Sequence, residues 1–523
     1  MRIGIDVGGT NTDAVLMEGR DVLAEFKTPT TADVTSGIVS ALDGLQKQQS
    51  FAPTHVTAVM IGTTHFTNAV IEGRRLAPTA ALRLGLPATA ALPPMTDWPG
   101  RLRDVLGEHV YLCHGGHEFD GRLISEFDRS EVQTAAADIA AKGIRTVAVS
   151  AVFSPVNAEM ELRAAEVLRE VIPGVSVSLS HEIGRVGLLE RENATILNAC
   201  LHELAEHITA ALEKSVRGAG IHAPVFISQN DGTLMSVDYC REYPVATFAS
   251  GPTNSMRGAA FLSGQTDCVV VDVGGTTSDV GALVHGFPRE AAVAVDIGGV
   301  RTNFRMPDVL SVGLGGGSMV STDSSGVTVG PQSVGYAITQ QALVFGGDTL
   351  TATDLAVAAG MCQVGSPSRV AKLDRDLVRE GVRHIQLRVA ELVDRVKTSP
   401  QPLPVVVVGG GSILLEDHLE GASEVLKPDH FAVANAIGAA IAQVGAEVDK
   451  VFSLTDTPRE EALESARQEA TGKATSAGAD ESTVEIVDVE EVPLAYLPSN
   501  AVRIRVKAVG DLRLGNGNAA TNL

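Results

Sequence analysis

The stretch "IGIDVGGTNTDAVLM", Ile3 to Met17, returns half a chain later as "VVVDVGGTTSDVGALV", Val269 to Val284. Each copy reads as a strand, a Gly-Gly turn and a second strand. With only a loop between the strands, the geometry is that of an antiparallel hairpin, not the strand-to-helix passage of a dinucleotide or Walker loop. The separation is far beyond the roughly 20–50-residue period of a solenoid and suits two similar halves of one large protein. At 523 residues the chain exceeds what one core supports.

Working outward from the first hairpin, "VLAEFKT" (Val22 to Thr28) reads as a third strand, and a capped helix follows it. "HVTAVMIGTTHFTNAVIE" reads as a buried strand, a turn and a helix start. Two helix–Gly–strand units between Glu131 and Ser180 give an α/β class. A long amphipathic helix from Leu188 bridges out of the first lobe. Around the second hairpin lie "VLSVGLGGGSMVS" and "PLPVVVVGGGSILLE", then the Ala/Gly helix "NAIGAAIAQVGAEVDK". Glu460 to Ser482 reads as an arm or linker, and the two alternating strands after it as a small terminal β module. The expected division is a first lobe over 1–187, a second over 188–450, and a linker plus module over 451–523.

The net charge of −22 argues against nucleic acid or an anionic membrane as the main partner. No apolar run reaches the length of a spanning helix. Five scattered cysteines without a C-x-x-C pair read as reduced, packed thiols. With no leader sequence read at the N-terminus, the expected compartment is the cytoplasm.

Glycine turns that expose clustered N–H groups beside threonine hydroxyls form anion nests. Gly8, Gly9, Thr10, Asn11 and Thr12 make the first, and Gly274, Gly275, Thr276 and Thr277 the second. Asp6 and Asp272 at the strand ends suit Mg²⁺, held largely through its waters. Facing each other across a cleft, the hairpins would grip a triphosphate from both sides.

The order of these features, two phosphate hairpins and then "VVVVGGGSILL", resembles the sugar kinase, Hsp70 and actin superfamily. That implies a two-lobed α/β ATPase fold with a small C-terminal β-containing module. Beyond the fold, "GIDVGGTNTDAVL", "IGTTHFTNAV", "GGHEFDGR", "SHEIGRVGLLERENATILNACL", "ASGPTNSMRGAA", "DVGGTTSDVG" and "GGVRTNFRMPDVLSVGLGGGS" together resemble the hydantoinase/oxoprolinase family in its shorter hydantoinase-A-like branch. The closing "PLAYLPSNAVRI" fits that branch too. The resemblance implies ATP-dependent opening of a cyclic amide such as a hydantoin or 5-oxoproline, by phosphorylation of the amide oxygen. It implies ATP and Mg²⁺ and a second hydantoinase-type subunit, and it leaves K⁺ and a homo-oligomer open. Asp13 and Asp279 would brace the loops or orient a nucleophile. Gly409, Gly410, Gly411 and Ser412 would border adenosine, in competition with Gly313 to Ser318. Two departures bear on substrate. Longer members carry a Gly-Pro-Ala-Cys-Tyr-Gly-type stretch where this chain reads "VGYAITQQALVFGGD", and an aliphatic residue where His65 stands. A small-molecule kinase and an ATPase module driving a partner protein are the rival readings on the same fold.

Several polar clusters carry two readings each. Thr63, Thr64, His65 and Asn68 are substrate contacts or helix caps. His117 and Asp120, near Cys113 and His114, line a substrate pocket or stand on a polar turn, since their spacing matches no standard zinc pattern. Arg301 and Arg305 hold a carboxylate or phosphoryl group, or form a salt bridge to Asp308. His181-Glu182 supplies acid/base work or merely caps and pairs. Glu190, Arg191 and Glu192 read as a solvated helix face.

Overall fold

The computed structural model of the chain describes residues 1–514 except 10, 31–33, 292–293, 304–305, 325, 456 and 495–499. Val-, Ile- and Ala-rich runs that alternate with amphipathic segments give two large sheets, a four-stranded one and two two-stranded ribbons among the described residues.

The first sheet has nine strands in the order Glu485–Pro493, Ala501–Gly510, Val444–Ser453, Leu234–Ser236, Val225–Ser228, Ala58–Thr63, Arg2–Val7, Asn11–Glu18 and Asp21–Pro29. The second has six, with Cys268–Val273 at its centre between Ser278–Val284 and Leu403–Val408. In both sheets the aspartate-bearing strand pairs antiparallel with its hairpin partner and parallel with a third strand on the other side. The two halves suspected from the sequence are therefore repeats of topology as well as of residues.

The four-stranded parallel sheet, His109–His114, Thr79–Leu86, Thr146–Ala151 and Ser176–Leu179, stands beside the first lobe. It is tied there by the long helix Leu188–Gly218, which packs within the first lobe and against the four-stranded sheet. Arg191 and Glu192 on that helix are buried, not solvated as expected. Arg83 Nε donates to Glu192 Oε2 at 2.7 Å, and Ser150 Oγ reaches the same oxygen at 2.6 Å. Arg191 donates to the carbonyls of Arg185, Val186 and Ala151. Buried ions persist only when paired in this way. Arg83→Met strands the Glu192 carboxylate and is expected to lower unfolding free energy by about 3–5 kcal/mol in chemical denaturation; a loss under 1 kcal/mol would refute the pairing.

Several expectations about the later part of the chain are corrected. The terminal strands do not stand apart as a module but extend the first sheet, because Val444–Ser453 pairs in register with Ala501–Gly510. The same sheet takes in Val225–Ser228 and Leu234–Ser236, so these strands of the 188–450 segment sit beside the N-terminal ones. The arm over 460–482 is mostly the helix Arg459–Ser476, whose alanines 462, 466, 470 and 474 form one buried stripe. That four-residue spacing is a helix face, and small side chains let the helix lie close on the sheet. The Ala/Gly helix is shorter than expected, Ala434–Ile441, and its second half is the strand Val444–Ser453.

Between the large sheets the helix Ser250–Ser263 crosses Ala434–Ile441 at backbone contact. A Cβ at Gly258 would lie 1.9 Å from the Ala434 carbonyl oxygen, and one at Gly438 would lie 1.8 Å from that of Asn254. Glycine is obligatory at both positions. This crossing delivers Asn254, Ser255 and Asn435 to the hairpins.

Candidate functional site

Both glycine hairpins open onto one cavity of about 550 Å³. Gly8, Gly9, Asn11 and Asp13 line it from the first lobe; Asp272, Gly274 to Thr277 and Asp279 line it from the second. Gly409, Gly410 and Gly411 complete the second wall, and Ile338, Phe345, Val364, Ile413 and Phe431 supply apolar lining. The turns match: Gly8 N donates to Asn11 O at 3.0 Å, and Gly274 N to Thr277 O at 2.9 Å.

The repeated seven-residue spacing of the aspartates has a direct cause. Asp6 is the ladder partner of Asp13, and Asp272 that of Asp279. Like charges directly opposite each other destabilise a sheet unless something neutralises them. Asn435 Nδ2 donates to Asp6 Oδ2 at 3.0 Å and to Asp13 Oδ2 at 2.8 Å, and Asn254 Nδ2 reaches Asp6 Oδ1 at 3.3 Å. Lys27 Nζ stands 2.9 Å from Asp13 Oδ1. In the second hairpin, Ser311 Oγ bonds Asp279 and Ser255 bonds Asp272.

Burial pushes the Asp6 carboxyl up to about 6; the Asp13 charge adds to this, and Asp272 on the opposing hairpin adds a little more. Burial likewise raises Asp279 to about 6, with Asp272 adding to the shift. Asp13 and Asp272 are also raised by burial, and Lys27 opposes the shift in both. Among the described residues no three of these carboxylates come together as a ligand cluster, so a hard divalent cation here would take one or two of them and complete its shell from water and a bound anion. Gly9, Gly275 and Gly410 fit an anion beside it: a Cβ at any of them would meet no protein atom within 4 Å.

The raised carboxyls make a stability prediction. Between the ordinary 3.8 and about 6, folded Asp6 holds a proton that the unfolded chain has released. Stability of the metal-free protein therefore falls as pH rises through that window, and above it the cost from Asp6 is about 3 kcal/mol. Asp6→Asn is expected to raise the metal-free Tm at pH 7.5 by the equivalent of about 1–3 kcal/mol and to flatten its dependence between pH 4 and 6. An unchanged or lower Tm at pH 7.5 would contradict the assignment.

Other expected site residues are placed as follows. Thr64 lines the cavity, whereas Thr63 is buried behind it with its Oγ1 2.6 Å from His65 Nδ1. Burial drives the His65 imidazole down to about 4, with Arg75 assisting, so it is neutral. Asn68 Nδ2 reaches back to Thr64 Oγ1 at 3.4 Å, while the N-cap Thr64 side chain makes no capping bond to the helix His65–Glu72. Asp6, Thr12 and Ser412 do not line the cavity: Asp6 stands behind it, Thr12 is buried against Thr30, and Ser412 is buried. His117 lies in the four-stranded unit, 3.3 Å from Asn157, and Asp120 pairs with Arg122. Neither lines the hairpin cavity. Arg301 is exposed and 3.4 Å from Glu190. Asp308 pairs with Arg289 at 2.6 Å rather than with Arg301. Thr10 and Arg305 lie outside the described residues. Of the two competing glycine loops, Gly409 to Gly411 line the cavity, and Gly313 to Ser318 mainly brace the second hairpin. Gly316 N donates to Gly274 O and Gly317 N to Gly275 O, while Gly316 also reaches the cavity.

Lys27, Asn435, Asn254 and Ser255 escape sequence reading. Lys27 is the ladder partner of Asp13, but a bulge between Leu16 and Met17 shifts the register, so counting from the turn misses the pair. The other three lie on distant helices, where nothing local marks them.

The fold and the cavity define a two-lobed α/β protein with a pair of aspartate–glycine hairpins facing across one cleft. The hydantoinase/oxoprolinase N-terminal region matches residues 2–172, and the hydantoinase/oxoprolinase region matches 191–396. The chain belongs to the hydantoinase/oxoprolinase family. It is 28% identical over 398 residues to the acetophenone carboxylase gamma subunit of Aromatoleum aromaticum, covering 68% of this chain and 53% of that protein. It is 26% identical over 386 residues to the caprolactamase alpha subunit of Pseudomonas jessenii, covering 70% and 55%. The matched region thus spans about half the length of these two relatives. The solved ATP-dependent caprolactamase of Pseudomonas jessenii has the same fold, with a TM-score of 0.80 at 20% identity over 100% of this chain and 89% of that one. Nucleotide-free acetone carboxylase gives 0.69 at 16% identity over 98% and 88%. Among the described residues no helix is long and apolar enough to cross a membrane.

Proposed function

We propose that this chain is the ATP-binding, phosphoryl-transferring subunit of an enzyme that opens a cyclic amide. The observation that carries the reading is the convergence of two matched aspartate–glycine hairpins on one cavity that also has an apolar lining. The names of the relatives support it: one is a caprolactamase and two are carboxylases, one of them ATP-dependent by its title. Their naming as gamma and alpha subunits supports a partner subunit here.

In this reading the hairpin N–H groups bind the polyphosphate, and Asp272 and Asp13, which line the cavity, would hold Mg²⁺ directly or through its waters, with Asp6 behind Asp13 on the same ladder rung. Mg²⁺, when bound, neutralises the phosphate oxygens and their developing charge. Phe345, Val364 and Ile413 face the base, and Gly409 to Gly411 border the ribose. Lys27 stands by Asp13 where the transferring group would lie. The amide oxygen attacks the terminal phosphorus, the bond to the leaving oxygen of ADP breaks, and the ring carbon becomes open to water.

A second reading follows from the gamma-subunit likeness: the phosphorylated oxygen belongs to a ketone destined for carboxylation. Incubation with MgATP and a panel of hydantoins, lactams and aryl ketones, with and without a partner subunit and bicarbonate, separates the two. ADP, phosphate and a ring-opened acid support the first, and a bicarbonate-dependent keto acid supports the second. A stable phosphorylated compound, or turnover responding only to a protein partner, would replace both.

A further inference from the structure

The helix Arg375–Val396 buries Val378, Val382, Ile385 and Val389 in the second lobe and carries a further stripe outward. Arg375, Arg379 and Arg383 stand one turn apart on that stripe, and Gln386, Leu387 and Ala390 continue it. Like charges four residues apart destabilise a helix, and Arg375 also opens the helix, at the positive end of its dipole. The stability of the helix itself therefore does not account for the arginine row. Arg379 pairs with Asp376 of its own helix at 2.7 Å, with both side chains exposed. Among the described residues the side chains of Arg375 and Arg383 make no ion pair or hydrogen bond.

The stripe forms one side of a groove of about 840 Å³. From Arg375 to Ala390 it runs about 22 Å, or about four helical turns. Ala358, Ala359, Ala371 and Ala390 make much of the apolar lining, and Leu387 is 42% exposed beside them. Small side chains let another helix lie close. Glu416 and Glu420 line the groove too, and among the described residues no ion pair joins them to the three arginines. The groove backs onto the hairpin cavity. The helix Ala352–Ala358 lines the cavity with Thr353 and the groove with Ala358. Likewise Ile413 lines the cavity and Glu416 the groove. Between these two, Gln386 Nε2 donates to Leu414 O at 2.9 Å, and Gln386 Oε1 accepts from Glu416 N at 3.4 Å.

We propose that this groove docks an amphipathic helix of a partner protein, one edge of which is acidic, and that docking is felt in the hairpin cavity through Gln386. Three positive charges at one-turn spacing match carboxylates at i, i+4 and i+8 of a helix lying alongside, whereas a single anionic head group would engage only one of them. The apolar face of the incoming helix covers Leu387 and the alanines. Basic side chains on its other edge meet Glu416 and Glu420. A helix seated on Gln386 bears on the two backbone bonds that hold residues 414 and 416, next to Ile413 in the cavity wall. The groove and its charges carry this inference, and it stands independently of the proposed function.

The probe is a synthetic four-turn helical peptide with Leu and Ala on one face, Glu at one-turn spacing along one edge and Lys along the other. It is titrated against the full chain by fluorescence anisotropy at low ionic strength. The wild type is expected to bind it. Replacing the peptide's Glu by Gln, or using the Arg379→Glu/Arg383→Glu double variant, is expected to weaken binding at least 10-fold. Both arginines are exposed, so the variant keeps its fold. A peptide with Lys in place of Glu should bind the double variant better than the wild type. Saturating peptide should change amide hydrogen exchange over residues 413–416 at least threefold in the wild type and not in Gln386→Ala. No binding by the wild type, or equal binding of the Glu and Gln peptides, overturns the site. A homo-oligomer that the double variant dissociates makes a second copy the occupant and overturns it as well. Peptide binding with unchanged exchange overturns the link to the hairpin cavity.

Discussion

Asp272→Ala is expected to lower ring-stimulated ATP turnover by roughly 10²–10³-fold, equivalent to about 3–4 kcal/mol of transition-state stabilisation. Asp272 lines the cavity at the end of the central strand of the second sheet, and burial holds its carboxyl above the ordinary range. Its position is enforced by its neighbour: a Cβ at Gly409 would lie 2.2 Å from Asp272 Oδ1. If Asp272 is the proposed cation ligand, removing its carboxylate takes that ligand away without opening the core, so Tm should hold while turnover collapses. The measurement is phosphate release under saturating MgATP with the best ring substrate. Turnover within threefold of wild type would remove Asp272 from the machinery.

Lys27→Met is expected to lower kcat by roughly 10²-fold with a smaller change in KM for ATP, because its charge matters most as charge shifts in the transferring group. Lys27 is the only Lys or Arg among the described residues lining the cavity, which also presents Asp13, Asp272 and Asp279. It also lowers the carboxyls of Asp13 and Asp272, so its loss raises both further and moves the acid limb of the pH–rate profile to higher pH. Lys27→Arg should restore part of kcat and return the acid limb toward wild type. An unchanged profile in Lys27→Met, with only KM raised, would make Lys27 a binding group and nothing more.

Much of this site was legible before any tertiary structure, because a hairpin is a local object. The turn glycines and the leading aspartates lie within a few residues of one another. Strand alternation and the Gly-Gly turn suffice to place them. The buried four-valine strand before Gly409 likewise announced a second wall. Reading failed where the partner is remote or the register shifts. Lys27 is displaced by the bulge after Leu16. Arg191 and Glu192 look like a solvated helix face until Arg83 and Glu161 arrive from other elements. The terminal strands look like a module because nothing in their alternation says which edge they join.

The sequence by itself determined the local chemistry: two aspartate–glycine bends with the side chains to hold a cation and an anion, and the helices and strands that carry them. Only the tertiary structure decided that both bends share one cavity and that Asn435 bridges the carboxylates of the first. The physical reason is the close crossing of Ser250–Ser263 with Ala434–Ile441. That approach depends on two glycines far apart in the chain, Gly258 and Gly438, and it brings Asn254 and Asn435 to the Asp6 carboxylate.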